Sequence, residues 1–432
     1  MGIGIEIRAA YAGGEDECRE NIRSFFEREE SAVPGKHICV IEYRSGLQVD
    51  LFFAEENVYF IFDDEDAALV ISAKTNSAGP GYHAYLVDLF GKLKTALSLT
   101  WDEEDVIDES EYWHHRDFGD LQAAMGGWLG SLASHLVNNL MDDDVSGLAL
   151  SMDADKVPDS DEHYAAHLLG WRERDFFTEI AVHGITPEDC ASYFIWWDKQ
   201  ADAQMHLKCA LAMMWCECNW LSPVTDGEKM LFTATFLCLE RAWDEDPAPP
   251  FPGAAFPIEE WKEMATLSHS TEIADELRNR FPDFEPSAPP IGYLRGPVRR
   301  HPGSGWRFTM RGMLHENIEE DGTVLVYWNE HLTIRVSRFT VSGEELSAAS
   351  LLAPLTDGAE GVMDFPLPDQ KEILAKVSHE PYPRENENNY FCSHLFAAVD
   401  SGQVLHISVC YDDQALRPEA ETIFKSLSWQ DN

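Results

Sequence analysis

The sequence predicts a multidomain α+β protein, and three observations carry that reading. The chain has 432 residues, more than the roughly 250–300 at which a single hydrophobic core stops growing. Apolar residues alternate with period two near both ends and recur at helical spacing between them. A stretch rich in proline and glycine, Phe281–Gly305, separates the helical middle from the strand-rich end.

Taken in order, Ile3 to Ala9 alternates as a strand does, and Glu15 to about Glu29 follows as a helix. Three strand-like runs come next, Leu47–Phe53, Val58–Phe62 and Ala67–Ala73, the last two joined by Asp63-Asp64-Glu65-Asp66 as in an antiparallel meander. Thr75 to Gly81 then punctuates the chain before an amphipathic helix from Tyr82 to about Leu97, whose Tyr85, Leu86, Leu89, Phe90 and Leu93 share a face. The result is a β-α-β-β-β-α unit. A further helix over Phe118–Leu140, weakened by Gly126-Gly127, completes a first α+β domain over residues 1–150.

Residues 151–285 read as a mainly helical region. The acidic, loop-like segment Asp142–Asp161 leads into it, and beyond about Pro187 the helical candidates are Cys190–Trp197, Ala201–Trp220 and Glu228–Trp243. Helices of similar length, divided by Ser222-Pro223 and Asp246-Pro247, give it the look of a helical repeat that could present a groove to a peptide. Residues 286–304 have linker chemistry, because proline stiffens them and glycine breaks them. The last domain, 305–432, has strands at Trp306–Met310, Thr323–Trp328, Leu332–Phe339, Tyr390–Val399 and Val404–Tyr411, with helices at Gly343–Leu352 and Pro418–Leu427. Antiparallel strands with helices packed on them make an α+β sandwich.

The run Leu332-Thr333-Ile334-Arg335-Val336-Ser337-Arg338 leading into a helix, and the ending Ala420 to Trp429, resemble the PsbP-like superfamily. That group includes DcrB-like proteins and the effector-associated chaperones of type VI secretion. The resemblance covers about residues 304–430 and implies a binding scaffold of PsbP-like type without enzyme chemistry. The two additional N-terminal domains depart from that pattern.

The charge narrows the partners. With 32 basic against 77 acidic residues the formal net charge is -45, a field that repels nucleic acid and anionic membrane and steers a basic or toxin-like protein inward. Solubility alone is the competing reason for such a charge. Nine cysteines without regular spacing, most in apolar segments, read as reduced thiols of a cytoplasmic protein. The N-terminus carries no signal-like segment, and no apolar run reaches the roughly 20 residues of a membrane span.

Candidate sites follow from residue type and spacing. The carboxylates Asp102, Glu103, Glu104, Asp105, Asp108, Glu109 and Glu111, ending at Trp113, form the expected partner-binding surface. Within Trp113-His114-His115-Arg116-Asp117, a His114–Asp117 pair could do acid–base work, although no Gly-x-Ser-x-Gly nucleophile motif accompanies it. His163 and His167 stand four apart and would share a helix face, as a metal-assisted hydrolase requires, with Glu162 beside them; two surface histidines are the plainer reading. Lys74 with Gly79 and Gly81 before a helix could hold an anion, but the phosphate-loop spacing is missing. No cofactor is expected, and a non-enzymatic binding protein is the leading reading.

Overall fold

The computed structural model describes residues 2–29, 38–52, 57–63, 67–139, 148–152, 156–160, 163–246, 256–282, 290–319, 322–343, 346–357, 361–367, 370–382 and 390–430. The chain divides into two compact units. The first comprises Met1–Asp153, Asp161–Cys218 and Ser222–Gly292, and the second Ala154–Ser160, Asn219–Leu221 and Tyr293–Asn432. Both mix helices with antiparallel sheet, so the protein is α+β.

The first unit opens with β1 (Gly4–Ala9), α1 (Glu15–Phe26), β2 (Cys39–Tyr43), β3 (Gly46–Asp50), β4 (Val58–Asp63), β5 (Ala68–Lys74) and α2 (Pro80–Ala96). A short β6 (Ile107–Asp108), α3 (Tyr112–His115) and α4 (Phe118–Asn139) follow. The strands form one antiparallel sheet in the order β2-β3-β4-β5-β1-β6. Alternation decides which face is buried: Ile5, Ile7 and Ala9 of β1, Val58, Phe60 and Phe62 of β4, and Leu69, Ile71 and Ala73 of β5 all point inward. Phe26 of α1 meets Phe60 edge-on at 5.8 Å. Helix α1 carries Glu15, Asp16 and Glu17 in its first turn and Arg23 in its last, the arrangement its dipole favours. Its buried Arg19 donates to the carbonyls of Tyr43, Arg44 and Gly46, which ties the helix to the β2–β3 turn.

The meander read from the sequence is present, but its outermost strand β2 was not foreseen, and turn residues 64–66 lie outside the described residues. After α4 come β7 (Leu148–Leu150), β8 (Val157–Pro158), β9 (Ala165–His167) and β10 (Gly170–Arg172). Helices follow at α5 (Arg174–His183), α6 (Pro187–Tyr193), α7 (Ala203–Ala212), α8 (Asp226–Glu245), α9 (Ile258–Leu267) and α10 (Thr271–Arg280). Capping boxes start α6 at Thr186 and Asp189, and α8 at Thr225 and Glu228. The expected helix Ala201–Trp220 instead ends as a π-helical turn over Met213–Glu217. Buried Lys208 of α7 donates to the carbonyls of Ala191 and Phe194, satisfying the C-terminal end of α6.

In the second unit, β11 (Pro297–Gly303), β12 (Trp306–Arg311), β13 (His315–Ile318), β14 (Val324–Trp328) and β15 (Leu332–Thr340) precede α11 (Ala348–Thr356). Then come β16 (Met363–Asp364), β17 (Leu374–Tyr382), β18 (Tyr390–Ala398), β19 (Gln403–Tyr411), α12 (Arg417–Lys425) and β20 (Ser428–Trp429). Seven strands run β13-β14-β15-β19-β18-β17-β16, and four run β20-β12-β11-β8. Trp306, Phe308, Ile334, Leu395, Ile407 and Phe424 belong to one core cluster joining both sheets and α12. Leu351 and Leu352 of α11 pack on Ala398 and Val404.

Two expectations are corrected here. The segment assigned to a linker over 286–304 contains β11, which is paired to β12 on one side and β8 on the other. A register shift between Arg300 and Gly303 accommodates Pro302, which could not donate within a regular ladder. The thiols are not all reduced: Cys392 and Cys410 form a disulfide. They sit directly opposite each other on β18 and β19 with Cα atoms 4.3 Å apart, a proximity that hairpin register creates and cysteine spacing alone conceals.

Candidate functional site

The outer face of the first unit's sheet carries several exposed apolar side chains. Register places Ile41 (β2), Gln48 (β3), Tyr59 (β4), Ser72 (β5), Glu6 (β1) and Ile107 (β6) in one row crossing all six strands. The neighbouring row runs Tyr43, Gly46, Ile61, Val70, Arg8. Ile41, Tyr43, Tyr59, Ile61 and Ile107 are 39% to 56% exposed, although a solvated sheet face is usually polar. Apolar groups gathered this way on one face commonly mark an interaction surface.

A cavity of about 650 Å³ opens on this face, lined by residues that include Glu6, Asn57, Tyr59, Lys74, Ile107 and Glu109. Glu109 is fixed there, because one carboxylate oxygen accepts the Gly4 amide at 2.8 Å. Arg8 is engaged by Asp63 at 2.8 Å. A second cavity of about 290 Å³ shares Lys74 and is also lined by Ser77, Trp128, Ser151 and Tyr193.

The acidic run expected to bind a partner divides by role. Asp102, Glu103, Glu104, Asp105, Glu109 and Glu111 are exposed, whereas Asp108 and Trp113 are buried. Asp102 caps a single 3₁₀ turn over Glu103–Asp105 by accepting from the Glu104 amide at 3.1 Å. Glu103 accepts from Lys94 and from the Trp113 indole, the latter at 2.8 Å. Burial acts to raise its pKa, but those hydrogen bonds and the Lys94 charge outweigh it and hold the carboxyl below its ordinary range. Glu111 enters α3 in the left-handed conformation, with φ of 61°.

Asp108 is a fastener, and this corrects its reading as contact surface. Its Oδ1 accepts from the Ser110 amide at 2.8 Å and the Ser110 hydroxyl at 2.7 Å, and its Oδ2 from the Trp113 amide at 2.7 Å. The His83 Nε2 lies 3.2 Å from Oδ2, and Thr75 Oγ1 lies 2.9 Å from His83 Nδ1. Burial alone would raise the Asp108 pKa, but the hydrogen bond and charge of His83, with the bonds from Ser110 and Trp113, hold it at about 2. Hydroxyl, imidazole and carboxylate are thus in line, as in an acyl-transfer triad, yet Thr75 and His83 are fully buried and Thr75 is hydrogen-bonded to the Ile3 carbonyl. No reacting atom can approach, so the cluster clasps β5, α2, β6 and α3 together.

The other sequence candidates do not converge. His114 Nε2 lies 3.3 Å from the Val106 carbonyl, whereas Asp117 accepts from the Gly119 and Asp120 amides at the start of α4. Arg116, with φ of 55°, turns the chain between them, so Asp117 serves as a helix cap. His163 and His167 are on no helix: His167 ends β9, and His163 precedes it. His163 stacks on Trp171 at 4.4 Å and meets Glu173 at 3.2 Å. His167 is fully buried, packs at a tilt on the Tyr193 ring with centroids 4.2 Å apart and accepts the Leu169 amide at Nδ1. Burial first, then Arg172, drives its pKa well below the usual imidazole value. Glu162 lies outside the described residues, and among those described no three His, Cys, Asp or Glu side chains are grouped as a metal site.

The anion cradle is likewise occupied. The Gly79 amide donates to Thr75 O, and the Gly81 amide to Trp196 O at 3.0 Å. A Cβ on Gly81 would fall 2.0 Å from Trp196, so glycine there serves close packing. Lys74 is exposed at the end of β5, while Gly79 and Gly81 are buried.

Fold and site together define a two-unit α+β protein with an open, partly apolar sheet face. No family model matches the chain, and no curated protein matches it. Weak likenesses exist among solved structures. A crystal structure from Bacteroides thetaiotaomicron has 13% identity and a TM-score of 0.26, with 32% of this chain and 49% of that chain covered. This chain therefore spans about half the length of that one. Cyanobacterial PsbP from Synechocystis has 9% identity and a TM-score of 0.19, covering 34% of this chain and 99% of its own. The Ran-binding protein Mog1p of Saccharomyces cerevisiae has 10% identity and a TM-score of 0.23, covering 31% and 95%. The α+β description of the second unit stands on its own strands and helices. Among the described residues, no helix is long and apolar enough to cross a membrane.

Sequence reasoning missed Glu6, Asn57, Tyr59 and Ile107, although a signal was present. Val58-Tyr59-Phe60-Ile61-Phe62 is apolar without interruption, where a strand of a one-sided antiparallel sheet should alternate.

Proposed function

We propose that this protein is a non-enzymatic binding protein whose partner is a basic protein, and that its outer sheet face is where the partner docks. The observation that supports this best is the row Ile41–Gln48–Tyr59–Ser72–Glu6–Ile107, which sets exposed apolar groups beside a carboxylate. Its setting is a chain of net charge -45. Long-range attraction would steer a cationic partner, and the aromatic and aliphatic groups would hold it after water is expelled. Within that class we favour an immunity or adaptor role towards a basic toxin or secreted effector, the PsbP-like resemblance of the last domain being to a binding scaffold.

The test is co-expression with the products of adjoining genes, followed by salt-graded elution. A basic protein that is retained at low salt and released as salt rises, and whose retention drops on Tyr59→Ala, is the expected result. Binding that ignores salt, or no binding among those products at low salt, overturns the proposal.

A further inference from the structure

The cavity on the outer sheet face is lined by side chains of both charge signs as well as by apolar ones. Two of its lining residues are the carboxylates Glu6 and Glu109, and Lys74 is the cation among them. Glu109 is held in place by the Gly4 amide, so its carboxylate need not be ordered when a ligand arrives. Glu6 is exposed, and register sets it between Ser72 and Ile107, neither of them charged. Arg8, the cation nearest along β1, is committed to Asp63 across the sheet.

The rim supplies what the stem of a long cation needs. Tyr59 is 39% exposed and offers an aromatic ring, and Ile107 is 56% exposed. Arginine buries its methylene stem on apolar surface while its guanidinium takes carboxylates as a planar fork and stacks on aromatic rings. Asn57 in the same lining adds a carbonyl acceptor.

Resting on the basic-partner reading, we propose that this cavity takes an arginine side chain of the docked protein, with Glu6 and Glu109 pairing the guanidinium and Tyr59 and Ile107 packing its stem. An anionic ligand would face two carboxylates. A second copy of this chain would bring another net charge of -45 to the same face.

The experiment uses the full chain and a fluorescent arginine-rich peptide, with lysine-rich and glutamate-rich peptides of equal length, read by anisotropy across a salt series. Glu6→Gln removes one pocket charge, Tyr59→Ala removes the ring, and Glu276→Gln removes an equal charge at an exposed position of α10 as the control. Melting curves confirm that each variant folds. We expect arginine peptide to bind more tightly than lysine peptide, affinity to fall about tenfold in Glu6→Gln and Tyr59→Ala, and Glu276→Gln to stay within about twofold. Equal loss in the pocket and control variants, or equal affinity for the two cationic peptides, overturns the cavity assignment and leaves the basic-partner reading standing. No binding of either cationic peptide at low salt overturns both.

Discussion

Replacing Asp108 by asparagine keeps the side chain's shape and removes the charge at the centre of the buried clasp. Its carboxylate takes hydrogen bonds from the Ser110 amide and hydroxyl and the Trp113 amide, with His83 Nε2 3.2 Å away. An asparagine has one acceptor oxygen, so its NH₂ must face donors at one of the two positions. Losing a charge-assisted bond to a buried amide costs about 1.5–3 kcal/mol. The linkage argument gives a similar magnitude: a carboxyl held at about 2 instead of 3.8 contributes roughly 2.5 kcal/mol. The sign follows from a depressed carboxyl pKa. That contribution is complete above about pH 4 and is lost as pH falls through about 2. Urea unfolding at a series of pH values, with hydrogen exchange of the Trp113 amide as a local readout, measures both. We expect Asp108→Asn to destabilise the first unit by about 2–3 kcal/mol at neutral pH, and the gap from wild type to narrow as pH falls from 4 towards 2. A deficit under about 0.5 kcal/mol at neutral pH, or one that stays constant with pH, would refute the clasp.

Two further outcomes test the second unit. Denatured but unreduced protein should titrate seven thiols and fully reduced protein nine, and reduction should lower the second unit's stability by up to about 3 kcal/mol for a loop of this length; nine thiols before reduction would exclude the disulfide. His406 is pushed down to about 4 by burial and then by the charge of His394, whose Nδ1 lies 3.2 Å from its Nε2. Because the unfolded chain takes up that proton first, the second unit should lose stability as pH falls from about 6.5 through 4, by up to about 3 kcal/mol. His406→Gln should flatten the dependence of melting temperature on pH, and an unchanged slope would show that another group titrates.

What the sequence disclosed and what it hid have different physical origins. The helix expected over Phe118–Leu140, which the structure describes as far as Asn139, was legible from apolar residues at helical spacing, and the strands at Val58–Phe62 and Val404–Tyr411 from short apolar runs rich in β-branched and aromatic residues. Strand β2 escaped notice because it is an edge strand with four of its five residues exposed. Strand β11 was hidden by Pro302, since proline usually signals that pairing has stopped. Asp108 looked like surface because its neighbours in sequence are acidic and exposed, and only the three-dimensional arrival of His83 turns it inward. The cavity residues Glu6, Asn57 and Ile107 come from three separate segments, and sheet register alone brings them together.

Strand β8 is a partner that must wait. Val157 and Pro158 pair with Arg299 and Val298, and Asp159 meets Arg299 at 2.9 Å across a separation of 140 residues. During synthesis at about 5–20 residues per second, the early strand would leave the ribosome on the order of ten seconds before its complement. A fragment beginning at Tyr293 would likewise leave one margin of β11 without its neighbour, so expressing the two units separately calls for carrying residues 154–160 along with the second.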